Sequence, residues 1–260
     1  MRTSEMAVPT ALFEQVAAAT QSLLLLDYDG TLAPFQVDRH SAYPYPGVLP
    51  LLQNIINRSR SRVAVITGRP IAELHALLTP LRDLEIWGSH GLEHLTANGT
   101  YRQSAVAPET AALLSDSESW LSTAGLAHRT EIKPGGIAVH WRGLPPAEIE
   151  RIRAGACKGL MPYSQQPGLK LLEFDGGLEL RVAHPDKGDA LDSILASVDP
   201  ETPVAYLGDD ITDEAAFSAL NSCGTTILVR AEHRETQAQI WLRPPEELIA
   251  FLQQWLDCLA

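Results

Sequence analysis

Four leucines, Leu23 to Leu26, run without a polar break into Asp27-Tyr28-Asp29-Gly30-Thr31-Leu32. An apolar run of this length, closed by a glycine, predicts a strand buried on both faces of a parallel sheet. The same signature recurs at residues 62–66 (RVAVI), 84–87 (LEIW), 203–207 (PVAYL) and 225–229 (TTILV). Helical spacing fills the intervals. A short helix is predicted over 11–19, after a loose lead-in at 1–10. A proline-bearing loop runs to Pro46, where Val48, Leu51, Leu52, Ile55 and Ile56 form the apolar stripe of a second helix. Pro70 opens a third helix, Lys187 one that reaches Val198, and residues 244–257 a closing one. Strands alternating with helices predict an α/β fold built on a Rossmann-like parallel sheet.

The alternation breaks near residue 105. Residues 92–102 read as a hairpin around Asn98-Gly99. Beyond it come a helix (108–123), a hairpin turning at Pro134-Gly135-Gly136, a helix (145–160) and a hairpin turning at Asp175-Gly176-Gly177. This set predicts a smaller α+β domain at 105–183, inserted between core segments 1–104 and 184–260. Period two puts Glu131 and Lys133 on one face of their strand, and His140 and Arg142 together on the next. The second hairpin adds Glu173, Glu179 and Arg181. Charged strand faces are ordinarily solvated faces; one turned toward a ligand would suit a polyhydroxylated molecule.

Composition narrows the classes. The 260 residues are 45% hydrophobic and 20% charged, with a formal charge of −12. Such an excess of acid argues against nucleic acid or an anionic membrane as partner. It also requires that an anionic ligand be attracted locally. Cys157, Cys223 and Cys258 are odd in number and widely spaced, which indicates neither a disulfide framework nor a zinc site. The N-terminus has no charged-then-apolar signal pattern and no apolar run approaches a membrane span, so a cytoplasmic protein is expected.

The chemistry gathers at predicted strand ends, where open α/β sheets bind ligands. Asp27 and Asp29, two apart, would crowd on one side and repel unless a cation or proton intervenes. Carboxylate oxygens of this kind suit Mg²⁺. Thr67-Gly68-Arg69-Pro70 sets a hydroxyl and exposed amides at a helix start, a place that favours phosphate. His90 stands between glycines after the third strand. Lys187 opens a helix against the dipole preference. Asp209, Asp210, Asp213 and Glu214 crowd one strand end and call for a shared cation.

DYDGTL, the Thr67 turn, Lys187-Gly188 and GDDITDE resemble, in order, the four motifs of the haloacid-dehalogenase-like (HAD) phosphohydrolase superfamily. The flanking Gly88-Ser89-His90-Gly91-Leu92-Glu93, Glu131-Ile132-Lys133, His140-Trp141-Arg142 and Glu179-Leu180-Arg181 look like the trehalose-6-phosphate phosphatase family within it, although Val182 stands where that family usually has proline. The resemblance implies a HAD core with an inserted cap and hydrolysis of a phosphoric monoester. Asp27 would be the nucleophile and Asp29 the general acid and base. Thr67 and Lys187 would hold the phosphoryl group. Mg²⁺ would sit on the Asp27 carboxylate, the Asp29 carbonyl and Asp209, with Asp210 and Asp213 in support. It implies sugar contacts from Lys133, Arg142 and Glu179, with Glu131, His140, His90, Glu93 and Arg69 beside the substrate. The expected partner is a small sugar phosphate, with no nucleic acid and no membrane, and the chain is expected to be a monomer. A phosphatase for sucrose or glucosylglycerol phosphate, or a sugar phosphomutase, would share the core motifs. A non-catalytic sensor would have lost one of Asp27, Asp29, Thr67, Lys187 or Asp209, and none is lost.

Overall fold

A computed structural model describes residues 9–260; most of the lead-in expected at 1–10 lies outside them. The first stretch carries α1 (Thr10–Ala18), β1 (Ser22–Leu26), α2 (Val48–Asn57), β2 (Ser61–Ile66), α3 (Ile71–Leu78), β3 (Glu85–Gly88), β4 (Glu93–Leu95) and β5 (Tyr101–Gln103). The middle stretch carries α4 (Pro108–Thr123), β6 (Thr130–Lys133), β7 (Gly136–His140), α5 (Pro146–Ser164), β8 (Leu169–Phe174) and β9 (Gly177–Val182). The last carries α6 (Lys187–Leu195), β10 (Val204–Gly208), α7 (Glu214–Leu220), β11 (Thr225–Val229), β12 (Ile240–Leu242) and α8 (Glu246–Asp257). Two compact units result, one from the chain up to Arg102 plus Lys187–Ala260, the other from Gln103–Asp186.

In the first unit the leucine run is the middle of the sheet. The strand order is β12-β11-β10-β1-β2-β3-β4-β5, parallel from β12 to β3, with β4 antiparallel to β3. All four leucines are wholly buried because strand alternation divides them between two cores. Leu24 and Leu26 pack with α2, α3 and α8, through Leu52, Leu74, Phe251 and Trp255. Leu23 and Leu25 pack with α6 and α7, through Leu191, Ile194 and Phe217. Burial of each contributes about 1.5–3 kcal/mol. The chain proceeds from β1 to β2 on one side and places β10 on the other, so the strand order reverses at β1 and β10. Open α/β sheets bind ligands in the crevice at the carboxyl ends of such a pair.

The second unit is a four-stranded antiparallel sheet, β6-β7-β9-β8. Ile137, Val139, Leu178 and Leu180 pack against Leu121 of α4 and Ile152, Ala156 and Leu160 of α5. Period two puts Glu131, Ala138 and Glu179, which pair across three strands, on the opposite face. Helix α5 runs to Ser164, past the predicted end at 160; Pro162 falls in the last turn, where it removes one backbone hydrogen bond and leaves Tyr163 on the core. Helix α7 and strand β12 are additions to the sequence reading. No helix among the described residues is long and apolar enough to cross a membrane.

Candidate active site

Asp27 is the first residue beyond β1. Its backbone N–H donates to the Leu207 carbonyl of β10 at 2.8 Å, which fixes it at the strand junction. Its carboxylate is buried and accepts from Lys187 Nζ at 2.6 Å. Lys187, at the start of α6 and equally buried, also donates to Asp213 Oδ1 at 2.7 Å. Asp213 Oδ1 takes a further hydrogen bond from Tyr206 Oη at 2.6 Å, and Oδ2 accepts from the backbone N–H of Asp209 and of Asp210, both at 3.1 Å. A carboxylate offers about four lone-pair sites. Those of Asp213 are filled by protein donors, so it orders the loop and the lysine instead of offering an oxygen outward.

Asp27, Asp209 and Asp213 bring carboxylate oxygens within 4.8 Å of one another. Three buried carboxylates thus face one buried ammonium, with Arg230 Nη1 3.6 Å from Asp209 Oδ2. Burial is the main force that pushes the Asp27 carboxyl up to about 7, against the pull of Lys187. Burial, then Asp27 and Asp213, push Asp209 well above the usual carboxylate range. The Tyr206 phenol is driven upward by burial and by Asp213, so it remains a donor. Asp209 Oδ2 and Thr31 Oγ1 are among the buried oxygens that have no hydrogen-bond partner among the described residues. Buried polar atoms are nearly always paired. An excess of buried negative charge with an unsatisfied carboxylate oxygen fits a hard divalent cation such as Mg²⁺ on Asp27 and Asp209.

Gly30 makes this approach possible. It has φ +83°, and a Cβ there would lie 2.2 Å from Asp209 Oδ2. If Mg²⁺ binds here it should raise the melting temperature of the native protein, and Gly30→Ala is expected to displace Asp209 and to remove most of that rise. An unchanged Mg²⁺ response would mean that Asp209 does not hold the ion.

The structure separates residues that look equivalent in sequence. Asp29 does not join the carboxylate cluster: the chain turns at Gly30, and Asp29 is held by Arg69 through Nε to Oδ2 at 2.7 Å and Nη2 to Oδ1 at 2.6 Å. Asp210, expected to support the metal, caps the short 3-10 turn that follows, accepting from Ile211 N at 2.7 Å. Thr67, just past β2, accepts from Arg69 N at 3.1 Å, which leaves its O–H to donate. The His90 ring lies where a Cβ on Gly68 would stand, 2.6 Å from that position. Ser89 and His90 both have left-handed φ (+47° and +59°). Glu93 secures that turn: it is buried and accepts from Ser89 Oγ at 2.6 Å, Tyr101 Oη at 2.9 Å and Ile71 N at 3.3 Å. Its carboxylate is thus occupied in holding the turn that carries His90.

In the second unit the expected sugar-binding residues pair with one another. Lys133 Nζ lies 2.8 Å from Glu179 Oε1, and His140 Nε2 2.6 Å from Glu131 Oε2. Arg142 turns instead to the β8–β9 turn, donating to the carbonyl and the carboxylate of Asp175.

Sequence reasoning missed Tyr206 and Arg234. Tyr206 had a signal, as the one aromatic residue in an otherwise aliphatic strand. Arg234 had none. From a loop it donates to the carbonyls of Asp209 (3.0 Å) and Asp210 (2.8 Å) and pairs with Glu214, clamping the acidic loop from behind.

Comparison with known proteins places this geometry. The trehalose-phosphatase family profile matches residues 25–244. A trehalose-phosphate phosphatase of Mycobacterium ulcerans is 30% identical over 245 residues, covering 88% of this chain and 60% of that protein, so the chain spans well under two thirds of that relative's length. A solved trehalose-6-phosphate phosphatase related protein is 28% identical, with a TM-score of 0.69 over 91% of this chain and 97% of its own. The C-terminal domain of the Candida albicans trehalose-6-phosphate phosphatase shares the fold, with a TM-score of 0.83 at 18% identity over 95% of this chain and 96% of its own. The extent of the profile match and the relatives that share it establish that this chain belongs to the trehalose-phosphatase family.

Proposed function

We propose that the chain is a Mg²⁺-dependent phosphatase that hydrolyses trehalose 6-phosphate to trehalose and inorganic phosphate through an aspartyl phosphate on Asp27. The observation that carries this reading is the buried Asp27–Lys187–Asp213 array beside Asp209 at the carboxyl ends of the central strands. An Asp27 oxygen attacks phosphorus as the bond from phosphorus to the sugar oxygen breaks, and Asp29 gives that oxygen its proton. Asp29 then takes a proton from water, whose oxygen attacks phosphorus; phosphate leaves and the Asp27 carboxylate is restored. Two of the three Lys187 N–H groups are spent on Asp27 and Asp213, and the third is assigned to a phosphoryl oxygen. The Thr67 hydroxyl donates to another. Mg²⁺, held by Asp27 and Asp209, would neutralise charge on the phosphoryl oxygens. Phosphoryl transfer is chiefly positioning and electrostatics, which suits a site whose polar groups are this fully fixed.

Phosphate release from trehalose 6-phosphate, sucrose 6-phosphate, glucose 6-phosphate and glucosylglycerol phosphate tests this directly. The expected result is a strong preference for trehalose 6-phosphate that EDTA abolishes and Mg²⁺ restores. A preference for another sugar would overturn the substrate assignment and leave the chemistry standing. Full activity in EDTA would overturn the metal.

A further inference from the structure

Arg69 lies in the motif that the sequence assigns to substrate, yet its guanidinium is committed elsewhere. It is 7% exposed. Nε and Nη2 form a parallel fork on the two oxygens of Asp29, at 2.7 and 2.6 Å, and Nη1 donates to the Arg39 carbonyl at 2.8 Å. Its carbon lies 5.5 Å from the centre of the Tyr28 ring, at cation–π range, and that ring is pinned by Tyr28 Oη donating to the Ala42 carbonyl at 2.7 Å. The Arg39 side chain is in turn tied to Glu73 of α3 at 2.7 Å. The guanidinium is thus held from two directions before it meets Asp29, by the Arg39 carbonyl and the Tyr28 ring. A two-point fork fixes both the position and the plane of a carboxylate, which a single ammonium contact cannot do. Each Asp29 oxygen keeps a lone pair outside the fork, available for a proton.

We propose that Arg69 is the positioning residue of the general acid–base: it aims the Asp29 carboxylate and acts on the reaction only through it. The inference rests on the role proposed above for Asp29. It removes Arg69 from the substrate contacts and makes the Thr67-Gly68-Arg69 turn serve two ends, with Thr67 for the phosphoryl group and Arg69 for the proton carrier.

A double-mutant cycle tests it, with Arg69→Ala, Asp29→Asn and the pair assayed on the preferred sugar phosphate in saturating Mg²⁺. Misplacement of a catalytic group by about 1 Å costs on the order of 100-fold. Arg69→Ala is expected to lower kcat by roughly that factor with KM nearly unchanged. The pair should be no slower than Asp29→Asn alone. Added guanidinium ion should restore part of the Arg69→Ala rate, and Arg69→Lys, which keeps the charge without the fork, should remain slow. A loss carried by KM, or losses that multiply in the pair, would make Arg69 a substrate ligand and overturn the proposal. Should Arg69→Ala not fold, Arg69→Lys decides the same question by its split between kcat and KM. If Asp29→Asn retains full activity, the acid–base assignment itself fails; if Asp29→Asn is slow but measurable and the effects multiply, only the Arg69 proposal does.

Discussion

Asp27→Asn is expected to abolish turnover, by about 10⁴-fold or more, while the protein folds as before. The amide keeps the shape of the carboxylate but cannot form an acyl phosphate. Lys187 keeps Asp213 as its ion-pair partner, so no buried ammonium is stranded. One of three clustered carboxylates loses its charge, which relieves repulsion and desolvation in the absence of metal. The variant should therefore melt no lower than the native protein in EDTA, and higher at neutral pH. The sign follows from the Asp27 carboxyl, which sits near 3.8 in an unfolded chain and about 7 in the fold. The folded state prefers its proton, so stability falls as pH rises from 3.8 and levels off above about 7. The advantage of Asn should open across that window. Phosphate release together with melting curves at several pH values checks both claims. Activity within 100-fold of native would remove Asp27 as nucleophile.

Lys187→Ala carries the second large effect, on stability as well as rate. It leaves Asp27 and Asp213 buried against each other with no cation between them. Loss of one partner from a buried pair costs about 3–5 kcal/mol, or roughly 10 °C of melting temperature for a chain of this size. The two carboxylates hold the Lys187 ammonium above its usual value of 10.5 despite the opposing pull of burial. The contribution of the lysine is therefore complete below 10.5 and lost only as pH climbs past its raised value. In the variant the penalty should shrink in acid, where the stranded carboxylates take up protons. Asp27→Asn added to Lys187→Ala should recover much of the stability and none of the activity. If the double variant melts as low as Lys187→Ala alone, the loss is not electrostatic.

The sheet and its order along the chain were legible because they rest on local signals. Leu23–Leu26 could be nothing but a buried strand, and a pair of aspartates after it could not avoid the carboxyl end. The side-chain pairings were not legible, because they join positions far apart in sequence. Arg69 meets Asp29 across 40 residues and Lys187 meets Asp27 across 160. Nothing local distinguishes a guanidinium on a carboxylate from one on a substrate. Asp210 and Asp213 read alike within the acidic run; the 3-10 turn at Ile211–Asp213 sends one back onto its own backbone and the other into the core. Helix α7 starts inside that same run, whose acidity drew a functional reading and hid a helix start. Strand β12 is three residues long, too short to show a period.

The insertion of the second unit has a consequence for synthesis. Strand β1 pairs on one side with β2, about 40 residues on, but its other edge waits for β10, which follows the whole inserted unit. The inserted unit is continuous in sequence and can close its sheet while β10 is still being made. Until then the all-leucine strand has one open edge, the kind of surface that invites association with other nascent chains. Asp27 likewise has neither Lys187 nor Asp209 beside it. From the synthesis of β1 until that of β10 the most apolar strand is thus half-covered and the proposed nucleophile lacks its partners, and both conditions end together, when the segment bearing β10 docks.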